Sequence, residues 1–260
     1  MTTSEPVGTP LGGNLNDAVR VGDTVRRTPG PWTPAVHALL RYLEEQGFPA
    51  PRPRGFDQQG REILEYIEGE AHSGTLAPLP DHVLDEPHLV AAAKLLRRYH
   101  DLAAGFRAPA GARWRLVAPT KHEIICHNDW TPWNALFKDG RLAVMLDWDL
   151  AGPGSRLWGI ANAVPAWAPL YHGHGKWTLE ERLRRLRLFL DAYGLEDRSA
   201  LVPTIRLFLT HVGRFVEDEA RRGDPGMQRL VAMGVPHNMY EVEVRWLDEH
   251  KEMLERAIQR

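Results

Sequence analysis

The sequence predicts an α+β chain. A small antiparallel β-sheet lobe with one helix spans residues 1–69, and a larger, mostly helical lobe spans residues 70–260. Three observations predict it. Short alternating apolar and polar runs, punctuated by Gly turns, fill the stretch before residue 69. Amphipathic helical patterns run from about residue 178 to the end. Between them lies ICHNDWTPWNALFKDGRLAVMLDWD, residues 125–149, with strand patterns on both sides of an Asp-Gly turn.

Taken in order, the first ten residues are rich in Thr, Ser and Pro and carry no pattern. A Gly12-Gly13-Asn14 loop follows. DAVRV and DTVRR alternate about Gly22-Asp23 and predict a hairpin. WTPAVHALLRYLEEQGF places Val36, Leu39, Leu40 and Leu43 at helical spacing and stops near Gly47. PAPRPRGFDQQGREILEYIEG predicts a Pro-punctuated connector, a Gln59-Gly60 turn and a strand over residues 62–67. The hinge between lobes then falls at residues 65–70. PHLVAAAKLLRRYHDLAAGF is an amphipathic helix. LFKDGRLAVML is a hairpin about Asp139-Gly140. LEERLRRLRLFLDAYG, ALVPTIRLFLTHVGRFVEDEARRG and NMYEVEVRWLDEHKEMLERAIQR complete the helical lobe.

Composition narrows the function classes. The formal net charge of -2 supplies no basic field to hold nucleic acid or an anionic membrane. Cys126 is the only cysteine, so no intrachain disulfide forms, which fits a cytoplasmic location. The start, MTTSEPVGTPLGG, lacks the pattern of a signal peptide, and no apolar run reaches the ~18–20 residues a bilayer span needs.

Residues 125–149 carry the chemistry. Asn134 and Asp147 flank the hairpin at its open end, offset by about two residues, or roughly 7 Å at ~3.3 Å per residue. Asp129 precedes Asn134 by five residues in a loop broken by Pro132. Two carboxylates and an amide oxygen thus converge, a donor set suited to a hard cation, Mg²⁺ above all. Zinc would call for His and Cys at ligand spacing, and only His127 and Cys126 are near. His172-Gly-His174 has no third ligand nearby and reads as a loop. The Trp cluster, Trp130, Trp133, Trp148, Trp158 and Trp167, reads as packing around a pocket. The order His127, Asp129, Asn134, hairpin, Asp147 is the arrangement of a kinase catalytic loop and metal-binding segment.

Here the chain resembles the aminoglycoside phosphotransferase family, small-molecule kinases of the protein-kinase-like two-lobe fold. HNDWTPWN matches its His-x-Asp-x-x-x-x-Asn loop, and LDWD the segment bearing the metal-binding Asp. LLRRYHDL resembles its LxxLH helix, and LEYIEG its interlobe connector. The resemblance implies transfer of the γ-phosphoryl group of ATP (or GTP) to a hydroxyl of a small molecule, with Mg²⁺. It implies Asp129 as catalytic base and His127 as a brace for the loop. Asn134 and Asp147 become metal ligands, and Asp149 a secondary polar contact. Adenine lies against the backbone of Glu65, Tyr66 and Ile67. Arg26 takes the place of the phosphate-contacting cation of the third strand, with Arg27 the alternative register. Gly13 and Asn14 fall in the loop over the phosphates.

The sequence departs from the family pattern in three places. Gly12-Gly13-Asn14 is not a Gly-x-Gly-x-x-Gly loop. The helix AVHALLRYL has no Glu to pair with the strand cation, and Val36 or His37 falls near that place. Gly159 stands where many relatives carry an Asp that anchors the catalytic loop. The missing helix Glu and Gly159 keep a non-catalytic nucleotide-binding module open as an alternative, and the same carboxylates leave a Mg²⁺-dependent phosphate-ester hydrolase as a third reading.

Overall fold

The computed structural model describes residues 8–11, 18–72, 79–172 and 176–259. Its N-terminal region is a five-stranded antiparallel sheet in the order β1-β2-β3-β5-β4. The strands are β1 (Thr9–Pro10), β2 (Val19–Val21), β3 (Thr24–Arg27), β4 (Pro53–Phe56) and β5 (Glu62–Glu65). Val21 pairs with Thr24 across Gly22-Asp23, and Gly22 takes a φ of 63° that its missing side chain permits. The β4–β5 turn is tied by the Asp57 carboxylate, which accepts from the backbone of Gln59 and Arg61.

Helix α1 (Thr33–Glu45) lies between β3 and β4 in the chain. Val36, Leu39, Leu40 and Leu43, the residues at helical spacing, are its buried face. The predicted strand over residues 62–67 is two residues shorter than expected. Its ladder ends at Glu65, and the Tyr66 N–H turns to the Asp23 carbonyl at 2.8 Å.

Beyond the connector, β6 (Glu70–Ala71) joins β8 (Ala135–Lys138) and β9 (Arg141–Met145) in a second sheet. β7 (Ile124–Cys126) pairs with β10 (Gly152–Gly154). These strands sit among helices α2 (Glu86–Ala103), α3 (Arg156–Trp167), α4 (Leu179–Tyr193) and α5 (Leu201–Arg221). Helices α6 (Pro225–Ala232), α7 (Val235–His237) and α8 (Val244–Ile258) close the chain, with one π turn over Asn238–Glu243. Thr178 and Glu181 form a capping box at the start of α4, and Gly194 ends it in a left-handed conformation. No helix among the described residues is long and apolar enough to cross a membrane.

The core beneath the central loop is aromatic. Trp130, Trp148, Trp158 and Trp167 are fully buried, and the Tyr99 ring stacks on Trp130 at 5.9 Å. Every one of these indole N–H groups has an acceptor: Ala92 O, Met145 O, Asn128 Oδ1 and Trp130 O respectively. A floor of large rings with no unpaired donor is stiff, and it holds the loop above it in one place.

Candidate active site

β7 delivers the chain into the loop at His127. The His127 Nε2 donates to the Leu146 carbonyl at 3.0 Å, and its Nδ1 accepts the Asp129 N–H at 3.2 Å. Burial pushes this imidazole down to about 4, against the pull of Asp147, so the ring is neutral with its proton on Nε2. It packs 4.5 Å from the Trp148 ring. Asn128 adopts a left-handed φ of 65°, which Asn tolerates better than most residues. Its amide donates to Leu150 O at 2.8 Å and accepts from Trp158. The Trp130 N–H is received by Asn162 Oδ1 of α3 at 2.6 Å. Three side chains, His127, Asn128 and Asn162, therefore fix the backbone on both sides of Asp129.

Asp129 is half-buried. Its Oδ2 accepts from Asn134 Nδ2 at 2.6 Å. Burial first, and the neighbouring Asp147 charge second, push its carboxyl up to about 7, while the Asn134 and Thr131 hydrogen bonds pull the other way. Because the Asn134 nitrogen is turned to Asp129, the amide oxygen is left to face elsewhere. The hairpin forms as its sequence predicts: Asp139 and Gly140 both take positive φ, 50° and 68°, at its tip. At the open end Leu146 N–H donates to Asn134 O at 2.7 Å. Asp147 follows with a φ of 54° and a side chain 32% exposed.

The strand cation that reaches this cluster is Arg27. Arg26 points to the other face of β3, where it donates to Thr24 Oγ1 at 2.6 Å and lies 3.6 Å from Asp57. Alternation along a strand makes the two mutually exclusive. The buried Arg27 guanidinium bonds Glu62, reaches Asp149 Oδ1 at 2.7 Å and lies 3.4 Å from Asp147 Oδ1. Burial disfavours its charge, but Asp149, Glu62 and Asp147 outweigh that and hold it ionised. Asp149 is pushed up by burial despite Arg27.

The absent helix Glu thus has a substitute. Glu62, directly opposite Arg27 in the β3–β5 ladder, is its carboxylate partner. Helix α1 still contributes, because His37 Nε2 lies 2.7 Å from the other Glu62 oxygen. Burial opposes ionisation of Glu62, yet the His37 hydrogen bond and the Arg27 charge hold its carboxyl low. Gly159 has a substitute too. A side chain there is blocked, since a Cβ would stand 2.6 Å from His100 Nε2. The anchor is Asn162, one turn further along α3. Neither Glu62 nor Asn162 stood out in the sequence. The β3–β5 register and the three-residue step from Gly159 were the available signals.

Of the connector residues, Glu65 and Tyr66 have their N–H groups engaged, by Arg52 O and Asp23 O. Gly13 and Asn14 lie outside the described residues. Tyr171 lies in the field of Glu243 and of Asp129, and burial with those charges keeps its hydroxyl protonated.

With this geometry in hand, likeness to known proteins becomes informative. The sequence pattern of the phosphotransferase enzyme family matches residues 8–118 and 110–201. The chain is 34% identical over 216 residues to the trifolitoxin immunity protein of Rhizobium leguminosarum bv. trifolii, covering 77% of this chain and 79% of that one. Among solved structures, a choline/ethanolamine kinase family protein from Mesorhizobium loti superposes with a TM-score of 0.57 at 18% identity, covering 98% and 93% of the two chains. The amicoumacin kinase hAmiN, in complex with AMP-PNP, Ca²⁺ and Ami, superposes with a TM-score of 0.64 at 10% identity over 92% and 91%. The chain belongs to the phosphotransferase enzyme family, that of the aminoglycoside phosphotransferases, and has its protein-kinase-like fold.

Proposed function

We propose that the chain transfers the γ-phosphoryl group of ATP to a hydroxyl of a small molecule, with Asp129 orienting that hydroxyl. The carrying observation is the placement of Asp129. It is a half-buried carboxylate on a rigidly braced loop, hydrogen-bonded to Asn134 and within the field of Asp147. A base held near neutrality is matched to accepting a hydroxyl proton, and phosphoryl transfer asks mainly for position and charge.

The nucleotide would lie between the lobes, divided near residue 69. With the N–H groups of Glu65 and Tyr66 engaged, the donor to an adenine edge falls to the Ile67 N–H. The Arg27 fork, held by Glu62 and Asp149, would meet phosphate oxygens. The side-chain oxygens of Asn134 and Asp147 are a donor set that fits a hard divalent cation, and Mg²⁺ held there would neutralise phosphate charge. Glu62 and Asn162 supply the carboxylate and the anchor whose absence motivated a non-catalytic module, so the enzymatic reading is favoured.

The likeness to an immunity protein and to the amicoumacin kinase hAmiN directs the acceptor search to antibiotics, alongside sugars and amino-alcohols. The test is a phosphoryl-transfer screen on hydroxyl compounds with ATP and GTP, using Asp129→Asn as blank. Transfer by the wild type and none by the variant is expected. Nucleotide binding without transfer to any acceptor would favour the module. Phosphate release from esters without nucleotide would favour the hydrolase.

A further inference from the structure

We infer that Glu70, His72 and His82 form a site for a divalent transition cation of the zinc class, separate from the Asp129 cluster. His72 Nε2 lies 2.7 Å and His82 Nε2 3.1 Å from the same oxygen, Glu70 Oε1. All three ligand atoms fall within 4.8 Å of one another. A tetrahedral zinc ion with bonds of about 2.0–2.2 Å sets its ligand atoms roughly 3.3–3.6 Å apart. Small side-chain rotations reach that spacing.

The chemistry favours the ion. Two imidazoles facing one carboxylate oxygen must each commit an N–H to it. A single divalent cation replaces both protons and takes a lone pair from each of the three groups. Two His and one carboxylate is a zinc donor set, whereas the all-oxygen set at Asn134 and Asp147 suits magnesium.

Two of the three ligands stand on held backbone, and His72 follows directly after β6. Glu70 is in β6, paired with Phe137 of β8. His82 lies in the short 3-10 turn Asp81–Leu84, where its carbonyl receives His88 Nδ1 at 2.7 Å. His88 in turn lies 3.0 Å from Gly140 O of the central hairpin tip, and Lys176 pairs with Asp81. The Glu70 and His82 side chains are 49% and 45% exposed, which leaves water access to a fourth coordination position. Occupied, the site cross-links the strand after the connector to the turn that leads into α2.

The test is titration of Zn²⁺ alone into metal-free full chain, followed by calorimetry and thermal unfolding, with Co²⁺ absorption reporting geometry. One Zn²⁺ per chain, a raised Tm and a tetrahedral Co²⁺ spectrum are expected. His72→Ala and His82→Ala should each weaken binding about 100-fold or abolish it. Asp147→Asn should leave binding unchanged, and Mg²⁺ should not displace the ion. Absence of Zn²⁺ binding, wild-type affinity in both His variants, or loss of binding in Asp147→Asn overturns the inference. Circular dichroism verifies folding; if His82→Ala does not fold, His72→Gln carries the same test.

Discussion

Replacing Asp129 by Asn should stabilise the unliganded protein at neutral and alkaline pH while removing its activity. The folded carboxyl ionises near pH 7, against an ordinary value of 3.8. Below 3.8 both folded and unfolded chains hold the proton, and the site costs nothing. Between 3.8 and about 7 the unfolded chain releases the proton first, so native stability falls as pH rises. At about 1.4 kcal/mol per pH unit the loss has a ceiling of about 4 kcal/mol above pH 7. Asp129 retains partial exposure, and screening by water brings the expected figure to about 1–3 kcal/mol. An Asn at this place is isosteric, keeps an oxygen for Asn134 Nδ2 and does not titrate. Urea denaturation of both proteins at pH 4.5 and 8 measures the difference directly. The advantage of Asp129→Asn should be small at pH 4.5 and larger by about 1–3 kcal/mol at pH 8, with turnover at least about 100-fold lower. An advantage that does not grow with pH, or a variant less stable at both values, refutes the reasoning.

Other substitutions separate the supporting contacts. Arg27→Met strands the buried Glu62 and Asp149 carboxylates and should cost about 3–5 kcal/mol by urea denaturation at pH 7. The loss should shrink at pH 4, while Arg26→Met should cost less than about 1 kcal/mol. Gly159→Ala drives a methyl against the buried His100 ring, whose Nδ1 is held by Tyr193 at 2.8 Å. It should cost about 1–3 kcal/mol, and a thermal scan showing no change in Tm would count against that contact. Asn162→Ala leaves the buried Trp130 N–H unpaired and should cost about 1–3 kcal/mol. It should also lower kcat more than it raises KM, because it loosens the loop that carries Asp129.

Local features of the fold were legible because local chemistry decides them. Asp139-Gly140 accepts the left-handed backbone that a tight hairpin requires, so the turn and the meeting of its two ends could be read directly. Leu39, Leu40 and Leu43 recur at helical spacing, and burial followed. The choice between Arg26 and Arg27 could not be read this way. Both lie on an alternating strand with polar neighbours, and only the approach of Asp147 and Asp149, 120 or more residues away, selects the face. Glu62 escaped notice for a related reason. Attention falls on α1 for a partner to the cation, yet the carboxylate comes from the adjacent strand, and cross-strand register is not written in composition. Asn162 is visible only once α3 packs beneath the loop and brings its amide to Trp130.

The near-neutral charge of the whole chain conceals an uneven distribution. Glu62, Asp147 and Asp149 gather around one guanidinium, with Asp129 in the field of Asp147, over a floor of tryptophans that offers no compensating charge. Such crowding is unfavourable for a fold considered alone, since like charges at close range repel more strongly where water is excluded. The chain relieves part of it internally: Arg27 pairs with Glu62 and Asp149, and Asp129 holds its proton more tightly than a free carboxylate. What is not relieved is concentrated at Asp147, whose side chain is 32% exposed and lies 3.4 Å from Arg27. A site that binds a divalent cation and an anionic phosphate chain needs that residual negative field at one point and the Arg27 fork at the next. The strain carried by Asp129 and the proposed transfer chemistry then have a common physical origin.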